Sequence, residues 1–424
     1  MRSRFDPILK IALTANLFEW YEFSLTAFMA LEIGRLFFPP ASDKLALALS
    51  FSVFASSYLA RPFGSLFFGA LGNRYGTGTA LKFSMLGMAT PASLIAFLPT
   101  YQAAGYLATI LLLTLKVLQG FCAGGEMPLS GYFVSLNAND RNRGPYCAFV
   151  VVSGFIGMLL ASGTTFGLPY LASALRPLMH GSTAGHWSES WRWPFLLCIP
   201  LSLAIYSLRS SVSKGLSARE RRTSRRKPAL PLAQAFILVA FMEIVIYALL
   251  VWMPNYLHSY LGASSFDAHF SNVVTLIVFS ASTIGAGYGA RVTSAANLVL
   301  AGIVSLVLGS YPLFRVLQTG DAVLQLLAQA ALAIMAGCIV GVIFVVLADL
   351  FKESWGDVGM ASTYSFATAI FGGTAPVVCA YLIEVTHLVT APAIYILVMG
   401  LLAAPVAYSL ASTQRGRMRF RVSD

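Results

Sequence analysis

The sequence predicts an all-α polytopic membrane protein of about twelve transmembrane helices in two six-helix halves. The first observation is composition: of 424 residues 57% are hydrophobic and 11% charged, where soluble domains carry about a quarter charged residues. The second is length, because apolar stretches of the roughly 20 residues needed to cross a bilayer recur along the whole chain. The third is charge placement, which alternates between connections in the way membrane topology demands.

The predicted spans are 11–36, 47–71, 80–99, 105–133, 145–171, 192–210, 233–257, 270–290, 294–314, 322–350, 357–383 and 389–411. They group as an N-terminal half over 1–208, a basic linker over 209–231, a C-terminal half over 232–412 and a basic tail over 413–424. With both termini and the linker on the cytoplasmic side, inner segments hold 21 of the 28 Lys and Arg, among them Arg74, Arg141, Arg143, Arg291 and Lys352. Outer loops hold five, Arg35, Lys44, Arg176, Arg192 and Arg315. This asymmetry orients the chain. The formal charge of +11 is therefore read as topology and contact with anionic lipid, not as a nucleic-acid footprint. The 35 glycines and 19 prolines lie within apolar stretches, as in helices that pack closely and break locally. Cys122, Cys147, Cys198, Cys338 and Cys379 lack metal-ligand spacing and are read as small core residues. Trp187, Trp191 and Trp193 are expected interfacial anchors. No cleavable leader is expected, since residues 1–10 run into an apolar stretch holding Glu19 and Glu22.

Charge inside the spans carries the functional signal, because a charge facing lipid costs at least about 2.5 kcal/mol and is kept only beside a wet cavity or a partner. Asn16, Glu19, Glu22 and Thr26 recur at spacings of three and four, which aligns them on one face of the first helix. Arg61 sits in Leu59-Ala60-Arg61-Pro62-Phe63-Gly64, where its guanidinium can hold a carboxylate of the solute or of helix one. Lys116 lies mid-span without a partner near it in sequence. Glu126 follows the small-residue run Gly120 to Gly125, a place for close helix approach, and suits either coupling or helix locking. Glu243 interrupts the run Phe236 to Val251 and suits either titration or a place in water beside the pore. Tyr247, Trp252, Pro254, Asn255 and Tyr256 follow it at a probable helix break. No Walker loop, HExxH or GxSxG is present and the five histidines are scattered, so neither an enzyme nor a self-contained ATP-driven pump is indicated. No metal or cofactor is implied.

Gly69-Ala70-Leu71-Gly72-Asn73-Arg74-Tyr75-Gly76 resembles the loop signature of the major facilitator superfamily. Four further blocks resemble its metabolite:proton symporter family: Asn16 to Phe23, Arg61 to Gly64, Leu118 to Glu126, and Phe371-Gly372-Gly373-Thr374-Ala375-Pro376. Weaker matches are Trp191 to Phe195 and Tyr247 to Leu257. Lys116, where many relatives have arginine, is most similar to the proline/betaine transporters. The resemblance implies a bacterial inner-membrane carrier, a monomer whose partners are a small solute, a proton and lipid, with uptake by alternating access around a mid-membrane site. Proton-coupling candidates are Glu19, Glu22 and Glu126. Solute-contact candidates are Asn16, Tyr21, Arg61, Lys116, Tyr247, Trp252 and Tyr364, and the gating loop is Gly69, Asn73, Arg74 and Gly76. The expected solute is a zwitterion such as proline or betaine. The alternatives are a citrate, 2-oxoglutarate or other dicarboxylate carrier, or a receptor that no longer transports. The chain departs from the family pattern at Asn73 for aspartate, at Thr77-Gly78-Thr79 for a basic pair, at Glu22 for aspartate, and at Gly285 to Arg291, which lacks an Asp-Arg pair. The tail from Ser412 is too short for the coiled coil of the osmosensing branch.

Overall fold

The computed structural model describes residues 6–39, 43–175, 191–203, 207 and 228–422, and among them every regular element is helical. The basic linker expected at 209–231 falls almost wholly outside the described residues, as does Trp187. The chain divides into two compact units, one of Met1–Ser130 with Ser153–Arg221 and the other of Gly131–Val152 with Arg222–Asp424.

The first unit draws on α1 (Asp6–Phe28), α2 (Ala30–Phe37), α3 (Asp43–Tyr75), α4 (Thr77–Ile95), α5 (Tyr101–Ala104), α6 (Tyr106–Ala123) and the start of α7 (Glu126–Asn137). It also holds most of α8 (Arg143–Leu175) and α9 (Arg192–Leu196), the latter lying within an apolar helix that runs on to Leu203. The second unit draws on α10 (Leu230–Ile246), a π turn at Tyr247–Val251, α11 (Met253–Leu261), α12 (Ser265–Gly289), α13 (Ala295–Leu317), α14 (Ala322–Val340) and α15 (Ile343–Phe351). It continues through α16 (Gly356–Ala367), a second π turn at Thr368–Gly372, α17 (Ala375–Thr386) and α18 (Ala391–Val422).

Eight helices among the described residues are long and apolar enough to cross a membrane. With α1, α3, α4 and the shorter apolar helix Arg192–Leu203, the described helices correspond to the twelve predicted spans, the sixth of which continues outside the described residues. The apolar stretch of α1 is interrupted by Asn16, Glu19 and Glu22, which is the polarity that matters for function. The burial pattern is that of a membrane bundle. On α6 the polar Lys116 and Gln119 are buried while Leu113, Val117 and Leu118 are exposed, the reverse of a water-soluble helix. Helix starts are capped in the ordinary way: Ser264 and Ser294 accept from Asp267 N at 3.0 Å and Asn297 N at 3.1 Å, and Asp321 accepts from Val323 N and Leu324 N at 2.9 Å each.

Glycine sets how closely α3 and α6 approach. A Cβ at Gly64 would overlap the Phe121 carbonyl, one at Gly120 the Ser57 carbonyl, and one at Gly124 the Arg61 carbonyl. Backbone therefore lies against backbone along this crossing, as in small-residue membrane interfaces. We expect Gly120→Val to lower the melting temperature and the yield of monodisperse protein, at a cost of about 2–3 kcal/mol for overpacking. Gly78→Ala, whose Cβ meets nothing within 4 Å, should leave both unchanged in the same fluorescence-detected size-exclusion assay.

Candidate functional site

The first unit gathers four ionisable side chains from three helices. Glu19 and Glu22 lie one turn apart on α1, Arg61 comes from α3 and Lys116 from α6, and all four are buried. Asn16 and Thr26 continue the α1 face and are buried too. That face is pressed onto α8 by glycine: a Cβ at Gly157 would overlap the Leu17 carbonyl, and one at Gly154 would crowd the Trp20 ring and Asn16. Asn16 Nδ2 donates to Ser153 Oγ on α8 at 3.2 Å.

Arg61 packs against two aromatic rings on one side. Its guanidinium carbon lies 4.5 Å from the Phe23 ring centre and 4.8 Å from that of Tyr58. The two rings meet edge to face at 5.1 Å. Cation–π contacts of this kind are stronger when desolvated. Nη2 lies 3.9 Å from Glu19 Oε1, so the partner left open between solute and helix one is, in this structure, Glu19. Lys116 Nζ donates to Gln119 Oε1 at 2.7 Å. Glu22 stands against Gln119 and within electrostatic reach of Lys116, Glu19 and Arg61. Two carboxylates and two cations thus share one buried region, and their formal charges cancel. Gln119, Phe23 and Tyr58 are the residues sequence reasoning missed here. Gln119 was legible, being three residues and so one helical face from Lys116.

The other candidates in this unit are placed apart from that cluster's charges. The Tyr21 hydroxyl donates to Pro194 O at 3.1 Å and accepts from Thr164 Oγ1 at 3.3 Å, so it ties α1 to α8 and α9. Glu126 is buried at the start of α7 and accepts from Ser130 Oγ at 3.3 Å, where the positive end of the helix dipole favours an acid. In the loop between α3 and α4, expected from the sequence to gate, Gly76 has φ 92°, a backbone that favours glycine. Asn73 and Arg74 are exposed, and the Arg74 guanidinium lies 5.2 Å over the Tyr75 ring.

In the second unit Tyr247 opens the first π turn and Trp252 follows it. Trp252, Tyr256 and Tyr260 form a cluster of three rings, with Trp252 4.9 Å from Tyr256 and 6.0 Å from Tyr260, and the two tyrosines 6.1 Å apart. Tyr364 stacks on Phe344 at 5.7 Å with planes 21° apart. The same unit holds a charged network that the sequence suggested only as topology. Arg143 Nη2 pairs with Asp349 Oδ1 at 3.0 Å, and Lys352 Nζ reaches the same oxygen at 3.3 Å. Arg143 Nε donates to Ser135 O at 2.9 Å. Arg291 donates to Arg141 O and Asn142 Oδ1, each at 2.9 Å.

The family model described as "Sugar (and other) transporter" matches residues 8–213. The fold is shared with FucP, a major facilitator superfamily transporter solved in its outward conformation, at a TM-score of 0.69 with 12% identity over 96% of this chain and 99% of that one. The chain shares the fold of major facilitator superfamily transporters. A double-tryptophan mutant of XylE gives a TM-score of 0.78 with 17% identity over 96% of both chains. Among curated relatives, the ectoine/proline transporter ProP of Corynebacterium glutamicum is 28% identical over 95% of this chain and 83% of its own length. The proline/betaine transporter of Escherichia coli is 26% identical over 96% and 84%, and the citrate-proton symporter of Klebsiella pneumoniae 28% over 96% and 92%. The apolar helices are those of a multi-pass membrane protein, and the proteins this chain is similar to are membrane transporters and not enzymes.

Removing one partner of a buried pair strands the other, whereas removing both need not. We therefore expect Arg61→Gln and Glu19→Gln each to lower the melting temperature, and the double variant to lose less than the two losses added. The coupling energy in this cycle should be about 1–3 kcal/mol, and strict additivity would refute the pair.

Proposed function

We propose that the protein is a proton-coupled symporter that takes up a small zwitterionic solute such as proline or betaine. The observation that carries this reading is the charge-balanced cluster of Glu19, Glu22, Arg61 and Lys116. A zwitterion brings one charge of each sign, and a cluster holding two of each can exchange an internal partner for either end of the solute without stranding a buried charge. In this reading Arg61, held against Phe23 and Tyr58, offers its guanidinium to the solute carboxylate, and Lys116 adds a second positive point. Glu19 and Glu22 are the sites for the coupling proton, because two carboxylates one turn apart disfavour double ionisation. Tyr247, Trp252 and Tyr364 line the solute path in the second half, and Glu126 stands in reserve as a coupling acid. Both termini face the cytoplasm, halves of residues 1–208 and 232–412 are joined by the basic linker at 209–231, and the carrier works as a monomer in contact with lipid.

The relatives named as proline, betaine and ectoine transporters support the zwitterion. The citrate-proton symporter relative favours a second reading, a carrier of di- or tricarboxylates in which Arg61 and Lys116 both serve the anion. A thermal-shift series separates the two, since bound ligand stabilises in proportion to the logarithm of its concentration. Betaine or proline is expected to raise the melting temperature progressively and citrate to leave it unmoved; the converse result selects the second reading. For coupling, Glu19→Gln or Glu22→Gln is expected to abolish accumulation driven by a pH gradient in proteoliposomes while solute exchange persists, as exchange needs no net proton movement. If both variants accumulate solute at the unmutated rate, the coupling proton is carried elsewhere.

A further inference from the structure

The first and seventh spans share a spacing: each places a glutamate twelve residues after a proline near its N-terminal end, Pro7 with Glu19 and Pro231 with Glu243. Major facilitator halves are parallel repeats of one another, so Glu243 stands at the repeat position of Glu19. Its surroundings are not those of a surface acid. It is buried within α10 among Phe241, Met242, Ile244 and Val245, which are buried as well. A carboxylate at such a site is costly and is retained for a partner or a purpose.

Two further observations mark the place. Glu243 Oε1 accepts from Thr368 Oγ1 at 3.0 Å, and a Cβ at Gly372 would stand 3.1 Å from Glu243 Oε2 and 2.9 Å from the Tyr247 ring. Gly372 thus leaves room for the carboxylate and nothing larger. Thr368 and Gly372 bound one π turn, and Tyr247, one helical turn after Glu243, opens the other. Each turn is closed by an i to i−5 hydrogen bond, Trp252 N to Tyr247 O at 2.9 Å and Gly373 N to Thr368 O at 3.3 Å. A π turn releases backbone carbonyl capacity that an α-helix uses, and such turns recur at functional sites. Here two of them meet at one acid and one hydroxyl. The titratable group beside Glu243 is Tyr247. On the facing helix Tyr364 lies one turn from Thr368, and Asp357 lies eleven residues back, about 16 Å along the axis.

We infer that Glu243, held by Thr368 between the two π turns, is a second cation site of the carrier, one that takes up a single small monovalent cation, a proton or a sodium ion, apart from the Glu19–Glu22 site. The carboxylate supplies the charge, and the Thr368 oxygen with the carbonyls of the π turns supplies neutral ligands. This rests on the reading of the chain as a cation-coupled carrier.

The test uses the full-length protein in proteoliposomes with betaine, or with citrate if thermal shift selects it, under a pH gradient and a sodium gradient imposed separately. The quantity read is gradient-driven accumulation divided by exchange at equilibrium. Glu243→Gln, which keeps an oxygen for the Thr368 hydroxyl, is expected to lower that ratio about tenfold under whichever gradient drives the unmutated protein. Thr368→Val should lower it in the same direction and by less. A loss confined to the pH gradient identifies a proton, and one confined to the sodium gradient a sodium ion. An unchanged ratio in Glu243→Gln overturns the second site and leaves the symport reading intact. If Glu243→Gln and Glu243→Asp both fail to elute as folded protein, the carboxylate is a structural tie and the inference falls. If the unmutated protein accumulates solute under neither gradient, the symport reading falls and takes this one with it.

Discussion

Charge cannot be left facing hydrocarbon, and in this protein that constraint decides which helices meet. Glu19, Glu22, Arg61 and Lys116 come from three helices that otherwise present large apolar side chains outward. Each would cost at least about 2.5 kcal/mol if turned to lipid. Their mutual compensation requires α1, α3 and α6 to converge, and convergence is possible only because Gly64, Gly120 and Gly124 remove the side chains that would hold α3 off α6. The two requirements support each other: packing without the charges would leave an inert bundle, and the charges without close packing would be stranded.

The same balance suits a carrier. A cluster that is neutral as a whole, its members held by ion pairing, hydrogen bonds and ring contacts, can trade partners at small net cost, whereas an unpaired buried charge cannot. Arg61 differs from Lys116 in this respect. Two aromatic rings fix its orientation, while Lys116 hangs on a flexible stem by its contact with Gln119, so the former is suited to aim and the latter to adapt. The Arg143–Asp349–Lys352 network is of another kind. Its members are partly exposed, and pairs of that sort contribute little and release readily, which suits contacts made and broken in a cycle. Arg291 adds contacts to Arg141 and Asn142 beside this network.

Most of the fold was legible because the bilayer makes length and polarity nearly sufficient: twelve apolar runs became helices whose ends mostly lie within a few residues of the predicted ones. The broken helices were legible only in part. The break near Trp252 and Pro254 was signalled by residue type, but its form, a π turn matched by another at Thr368–Gly372, depends on two helices meeting and has no local signature. Within the site, helical periodicity sufficed for the Asn16–Glu19–Glu22–Thr26 face. The pairing of Arg61 with Glu19 and not Glu22 turns on distances across helices, which sequence spacing does not encode. Phe23 and Tyr58 were invisible for the same reason, since an aromatic residue in an apolar span is ordinary until a guanidinium lies on it. Asp349 was passed over because it sits at the end of its span, where a charge needs no special account.

The central claim is that movement of a zwitterion and of a proton are one event at this cluster. Its most direct measurement records both together: purified protein in weakly buffered proteoliposomes, labelled betaine added outside, with uptake and external pH followed in the same sample. The account predicts that betaine entry alkalinises the outside in proportion to the solute taken up, and that collapsing the pH gradient with a protonophore ends accumulation. Betaine entry that leaves external pH unmoved and is indifferent to the protonophore would contradict it.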